Sequence, residues 1–87
     1  MSRRRSMEAI LQDQWVTIGE LARLTGLRYS TLKFYTEEGM LPFCQPESNL
    51  TRRYRREESL ARIARIRQLR KEGKSVPEIK ALLGQEL

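Results

Sequence analysis

The sequence predicts a mainly α-helical domain: a helix-turn-helix, a short two-stranded β wing and a further helix pair, about four helices in all. Three observations lead there. Two short segments of helical period, 17–25 and 29–38, are separated by a glycine-containing turn. A proline-interrupted stretch then runs into the basic cluster Arg52-Arg53-Tyr54-Arg55-Arg56. Beyond it, residues 57–72 repeat apolar side chains at helical spacing, and a second capped segment follows. At 87 residues the chain supports one domain with a thin core and little room for an enclosed substrate pocket.

Residues 1–14 are polar and basic with a small apolar patch at Met7, Ile10 and Leu11, and are expected to form a flexible basic arm ahead of a domain spanning 15–87. Thr17 with Glu20 three residues on is a capping box, which satisfies two otherwise orphaned N–H groups reciprocally. Ile18, Leu21, Ala22 and Thr25 follow at helical spacing, and Gly26 stops the helix because it accepts left-handed backbone at low cost. The second helix stops at Gly39. On a helical projection Leu32, Tyr35 and Thr36 share one face, bordered by Thr31 and Tyr29, while Ser30, Lys33, Phe34 and Glu37 occupy the other. Phe34 thus sits among polar residues. It either packs on the N-terminal arm or on Trp15, or it belongs to a contact surface to which Lys33 adds charge.

Pro42 and Pro46 bar a continuous helix, and Glu47-Ser48-Asn49 supplies turn chemistry. The cluster at 52–55 is expected to pair back on Leu41-Pro42-Phe43 as a hairpin, a wing able to track a phosphate backbone. In 57–72 the apolar arc of Leu60, Ile63, Ala64, Ile66 and Leu69 covers more than half the circumference, so this helix should pack against more than one neighbour. Arg67 falls inside that arc and is expected to snorkel or meet a carboxylate. Gly73 ends the helix. Ser75 caps the last one, with Pro77 at an early position and Glu78 completing a capping box ahead of the stripe Ile79, Leu82, Leu83.

Composition narrows the function. There are 17 Lys+Arg against 11 Asp+Glu, no His and a single Cys, for a formal charge of +6. No intrachain disulfide and no Cys/His metal cluster can form, and the commonest general base is missing, so neither an enzyme nor a cofactor is expected. The charge is concentrated: 52–74 holds ten basic residues against Glu57, Glu58 and Glu72. A solvated helix face is the plain explanation, but five adjacent residues carrying four arginines repel one another unless a polyanion relieves them. Ser2-Arg3-Arg4-Arg5 is followed by no apolar signal core, and no run approaches the ~18 residues of a membrane span. A cytoplasmic, nucleoid-associated location is therefore expected. Cys44, at the wing base, is expected to be a small apolar filler rather than a redox or metal residue.

From about Val16 to Leu83 these residues resemble the DNA-binding domain of the MerR family of bacterial transcription regulators. Thr17-Ile18-Gly19-Glu20-Leu21-Ala22-Arg23-Leu24-Thr25-Gly26-Leu27 is similar to the family's first helix and turn. Thr31-Leu32-Lys33-Phe34-Tyr35-Thr36-Glu37-Glu38-Gly39-Met40-Leu41 is similar to its recognition helix. Arg52 and Tyr54 fall on the wing's Arg-x-Tyr, and Ile66-Arg67-Gln68-Leu69-Arg70 with Gly73 resembles the helix pair that follows. The resemblance implies a winged helix-turn-helix that binds double-stranded DNA through Ser30, Lys33, Phe34 and Tyr35 of the second helix and Arg52 and Tyr54 of the wing. Thr17, Arg28, Thr31, Arg53 and Arg55 complete the expected contact set.

Departures from the family pattern bear on that set. Arg28 stands where a Ser or Thr cap is usual, so the helix start loses its cap or shifts to Ser30. Lys33 replaces an Arg and loses the bidentate fork. Thr36 replaces an acidic residue. Leu50-Thr51 replaces Gly-Tyr, and Pro46 an Arg, so the wing tip should differ in shape and phosphate contacts. Full-length members continue into a dimerisation helix and an effector domain. This sequence has no heptad segment and no second Cys, which implies an excised domain or a stand-alone small member without a small-molecule effector site. Such a chain is expected to be monomeric in solution and to assemble, head-to-tail or as a dimer, on DNA. Two other functions fit the fold: a protein-interaction module of the co-chaperone-modulator type, which predicts an apolar or acidic contact face, and an architectural or excisionase-like DNA binder.

Overall fold

The computed structural model describes residues 5–45, 47 and 51–85. Its elements run α1 (Met7–Gln12), β1 (Trp15–Val16), α2 (Ile18–Thr25), α3 (Tyr29–Glu37), β2 (Tyr54–Arg55), α4 (Arg56–Lys71) and α5 (Val76–Gln85). The mainly helical winged helix-turn-helix expected from sequence is what the chain forms. Both capping boxes are present. Thr17 Oγ1 accepts from the Glu20 N–H at 3.2 Å while Glu20 Oε1 accepts from the Thr17 N–H at 2.8 Å. Ser75 and Glu78 repeat the arrangement at 3.3 and 2.9 Å. Gly26, at φ 75°, turns the chain out of α2 in the left-handed conformation that a side chain would strain.

The core gathers one stripe from each helix. Leu21 of α2, Leu32 of α3, Ile63, Ile66 and Leu69 of α4, and Ile79 and Leu83 of α5 close over Val16 and Tyr54 of the sheet. Each such aliphatic side chain contributes ~1.5–3 kcal/mol by burial. The buried stripe of α4 is narrower than its apolar arc: Leu60 is half-buried, and Ala64 and Arg67 are exposed. Arg67 therefore faces solvent and needs neither snorkelling nor a buried carboxylate. Among the described residues no helix is long and apolar enough to cross a membrane.

The sheet differs from the expected hairpin. β2 pairs antiparallel with β1, placing Trp15 opposite Arg55 and Val16 opposite Tyr54. Among the described residues one bridge joins the two sides of the wing, where Cys44 and Arg53 exchange backbone hydrogen bonds of 2.7 and 2.8 Å. The cause is local: Met40 and Leu41 turn into the core and Pro42 has no N–H to donate, so 41–43 cannot run beside 52–55. Pro46 and Leu50, where the wing tip was expected to depart from the family, lie outside the described residues, as do residues 1–4.

Residues 5–14, expected within a flexible arm, hold a capped helix and a core residue. Ser6 Oγ accepts from the Ala9 N–H at 3.2 Å, and Ile10 is fully buried. Arg5 fixes the segment to α2: its Nε and Nη2 donate to the two Glu20 carboxylate oxygens at 2.6 and 2.7 Å, and Nη1 to Asp13 at 2.7 Å. Arg56 ties the same segment to α4 through the Gln14 and Asp13 carbonyls, at 2.8 and 3.0 Å. The Arg5 fork holds the Glu20 carboxyl below its ordinary range. Asp13 is lowered first by the Trp15 N–H it accepts and then by Arg5.

Candidate nucleic-acid interface

Helix α3 is set in place by its apolar side. Leu32, Tyr35 and Thr36 are buried, and the Thr36 hydroxyl donates to the Leu32 carbonyl while accepting from the Tyr54 hydroxyl, both at 2.9 Å. That bond joins the helix to β2 and accounts for a short hydroxyl residue where the family pattern has an acid: a carboxylate in this buried place would be desolvated. Tyr54, expected to contact DNA, is instead a core residue with no exposed surface. Tyr35 is nearly buried as well, leaving it little to offer a ligand. Thr17 is half-buried, with its hydroxyl occupied by the α2 cap.

The other side of α3 faces outward. Ser30 and Lys33 are exposed, Phe34 is 44% exposed and Tyr29 56%. Phe34 does not pack on Trp15: its ring lies 6.3 Å from that of Tyr35, whereas the Trp15 ring lies under the Arg55 guanidinium at 5.1 Å. Thr31 is half-buried between the two sides. Arg28 is the exposed N-cap of α3 and makes no side-chain cap bond, so the cap is lost rather than moved to Ser30, which lies within the helix.

Across from this face stands the wing strand. Arg52 Nη1 lies 3.2 Å from Glu37 Oε1 of α3, and its guanidinium sits 4.7 Å from the Phe43 ring centre. A groove of about 390 Å³ runs between strand and helix, lined by Tyr29, Lys33, Glu37, Thr51 and Arg52. Arg53 and Arg55 are exposed and, by the two-residue alternation of a strand, point away from the side that Arg52 and Tyr54 occupy. Cys44 is exposed, not a buried filler.

Two features were missed from sequence. Tyr29 was placed at the border of the buried face, yet its position four residues before Lys33 already put both on one helix side. The Arg5 clamp joins residues 15 apart, and no periodicity signals such a pair.

A helix-turn-helix with an adjoining basic strand defines the class as winged helix-turn-helix. Within it, the chain belongs to the MerR HTH family of regulatory proteins, whose pattern matches residues 16–86. A relative from Chromobacterium violaceum, the HTH-type transcriptional activator SoxR homolog, is 37% identical over 73 residues, covering 84% of this chain and 48% of that protein. The chain thus spans about half the length of the curated relative it matches. No solved structure matches it.

Proposed function

We propose that this chain binds double-stranded DNA in the cytoplasm as the DNA-reading unit of a transcription regulator, with α3 in the major groove and the wing on the adjoining phosphates. The observation that carries this reading is the outward face of α3, where Ser30, Lys33 and Phe34 are exposed beside a groove bounded by Arg52. A helix with its side chains measures about 10–12 Å across and a B-DNA major groove is about 12 Å wide, so the two fit. Lys33 donates to guanine O6 or N7, Ser30 bonds either donors or acceptors, and Phe34 covers a thymine methyl group. Arg52, steered by Glu37 and Phe43, reaches a phosphate, while Arg28, Arg53 and Arg55 add attraction along the backbone. A protein-interaction module would need an apolar or acidic contact face, whereas Lys33 and the wing arginines make this side basic. The chain is monomeric in dilute solution and reaches higher order only on DNA.

A salt titration of wild type, Arg52→Ala and Ser30→Ala, on a duplex selected from random sequence and on its scrambled form, tests the assignment. Losing one phosphate contact reduces the slope of log affinity against log salt by about 0.9 and weakens both duplexes alike. Ser30→Ala keeps the slope and reduces discrimination at one base pair by about 1 kcal/mol. An unchanged slope for Arg52→Ala removes the wing from the interface. Equal affinity of wild type for both duplexes removes α3 from the major groove.

A further inference from the structure

The wing strand separates two grooves. Thr51 and Arg52 line the one shared with α3, whereas Arg53 and Arg55 line a second, of about 470 Å³, on the side of α4. This second groove has an apolar floor in which Trp15, Pro42 and Phe43 take part; Pro42 is exposed and Phe43 is 42% exposed. Its far wall is one stripe of α4: Glu58, Ala61, Arg62 and Arg65 recur at i, i+3, i+4 and i+7. Four arginines and a single carboxylate thus surround apolar surface, among the described residues.

From this combination we infer that the second groove docks an acidic amphipathic segment of a partner protein, its apolar residues on the Trp15–Phe43 floor and its carboxylates on Arg53, Arg55 and Arg62. A phosphate backbone satisfies the arginines but brings nothing to cover Trp15, Pro42 and Phe43, and leaving them wet forgoes the apolar term. A second copy of this chain carries the same +6 charge and repels. A bilayer is too flat to enter a concave cleft. An amphipathic helix with apolar anchors at i, i+3, i+4 and i+7 and Glu elsewhere matches both the shape and the charge. Arg53 and Arg55 serve both readings, whereas the α4 wall with Arg62 belongs to this groove alone, so variants of that wall separate the two.

Trp15 is the chain's single tryptophan and lines this groove, so its emission reports occupancy directly. The probe is a synthetic Leu/Glu helical peptide of about four turns, compared with an all-Glu peptide of equal length. The expected result is a saturable change in Trp15 emission for the Leu/Glu peptide only, weakened about tenfold by Arg62→Glu. Ala61→Glu, an exposed helix position on the groove wall, weakens it without lowering the melting temperature. Lys33→Glu, on the α3 side of the wing, spares the peptide and weakens duplex DNA, and Arg62→Glu does the reverse. If the chain binds no duplex at all, the DNA reading fails and the peptide arm still decides this one. Absence of saturation, or equal binding of the all-Glu peptide, overturns the inference. So does a loss of duplex affinity with Arg62→Glu as large as the loss of peptide affinity, which gives the groove to DNA. A dimer in sedimentation that Arg62→Glu dissociates gives it to a second copy and equally overturns the proposal.

Discussion

Helices α2 and α3 are neighbours of eight and nine residues, and they begin in opposite ways. The start of α2 is closed on itself: Thr17 and Glu20 exchange both cap bonds, and the same Glu20 receives the Arg5 fork. The start of α3 is open, with Arg28 at the cap position making no such bond and Tyr29 and Ser30 turned to solvent. A missing N-cap costs roughly 1 kcal/mol, and an aromatic ring left half in water forgoes most of its burial energy. The support helix spends its polar groups on the fold; the outward helix keeps them available. Local rules are broken where something other than stability is at stake.

The largest break in this contrast comes from the support side. Ile10→Ala removes a fully buried side chain from the segment that α2 holds, and should cost ~2–5 kcal/mol. For a domain of this size that lowers the melting temperature by roughly 10 °C or more. Thermal denaturation followed by circular dichroism checks it. A shift of only a degree or two returns residues 5–13 to the role of a mobile arm.

That expectation of an arm shows what the sequence leaves unread. Capping boxes, glycine stops and the polar side of α3 are local patterns of three to ten residues, and each is legible by inspection. Ile10 is not, because a six-residue helix is too short for its patch of Met7, Ile10 and Leu11 to show which one is buried. The pairing of 15–16 with 54–55 is equally hidden: two-residue strands carry no alternation to detect. Tyr54 misleads for another reason. A tyrosine beside arginines in a basic strand reads as a ligand contact, and only the position of Thr36 reveals that its hydroxyl is needed inside.

A smaller effect should follow acidification. Glu20 and Asp13 are both held below their ordinary range in the folded chain, so their contribution is fully present above the unfolded carboxylate pKa, near 4. It is lost as the pH falls through the folded values. Melting temperatures of wild type and Glu20→Gln should therefore differ at neutral pH and converge once the pH has fallen through the folded pKa of Glu20, below its ordinary range. Parallel curves would mean that the Arg5 fork adds nothing to α2 beyond its cap.

Smaller still, and opposite in sign, is the repair of α3. Arg28 has the extended backbone of an N-cap, φ −71° and ψ 146°, so Arg28→Ser puts a hydroxyl within reach of the Thr31 N–H without moving the chain. The gain should be ~0.5–1 kcal/mol, a few degrees in melting temperature. The same variant loses one cation from the edge of the interface and should bind duplex DNA more weakly. A protein made more stable and less able to bind is the signature of a cap given up for contact. Stabilisation with unchanged affinity would leave Arg28 outside the interface.

The smallest expected change in stability is at Phe34, and it sharpens the comparison most. A buried phenylalanine cut to alanine costs ~3–5 kcal/mol, whereas a surface substitution stays within about ±0.5 kcal/mol. Phe34 is 44% exposed and its nearest ring is Tyr35, so Phe34→Ala should leave the melting temperature almost unmoved. The ring is also the largest apolar group on the side of α3 that carries Ser30 and Lys33, and in a major groove its partner is a thymine methyl. The loss should therefore appear in binding, chiefly on the selected duplex and little on a scrambled one, with the salt slope unchanged because no phosphate contact is removed. A large drop in melting temperature would put Phe34 in the core, and α3 would then be a second support helix rather than the opposite of α2. Equal weakening on both duplexes would keep the ring at the surface but deny it a part in reading sequence.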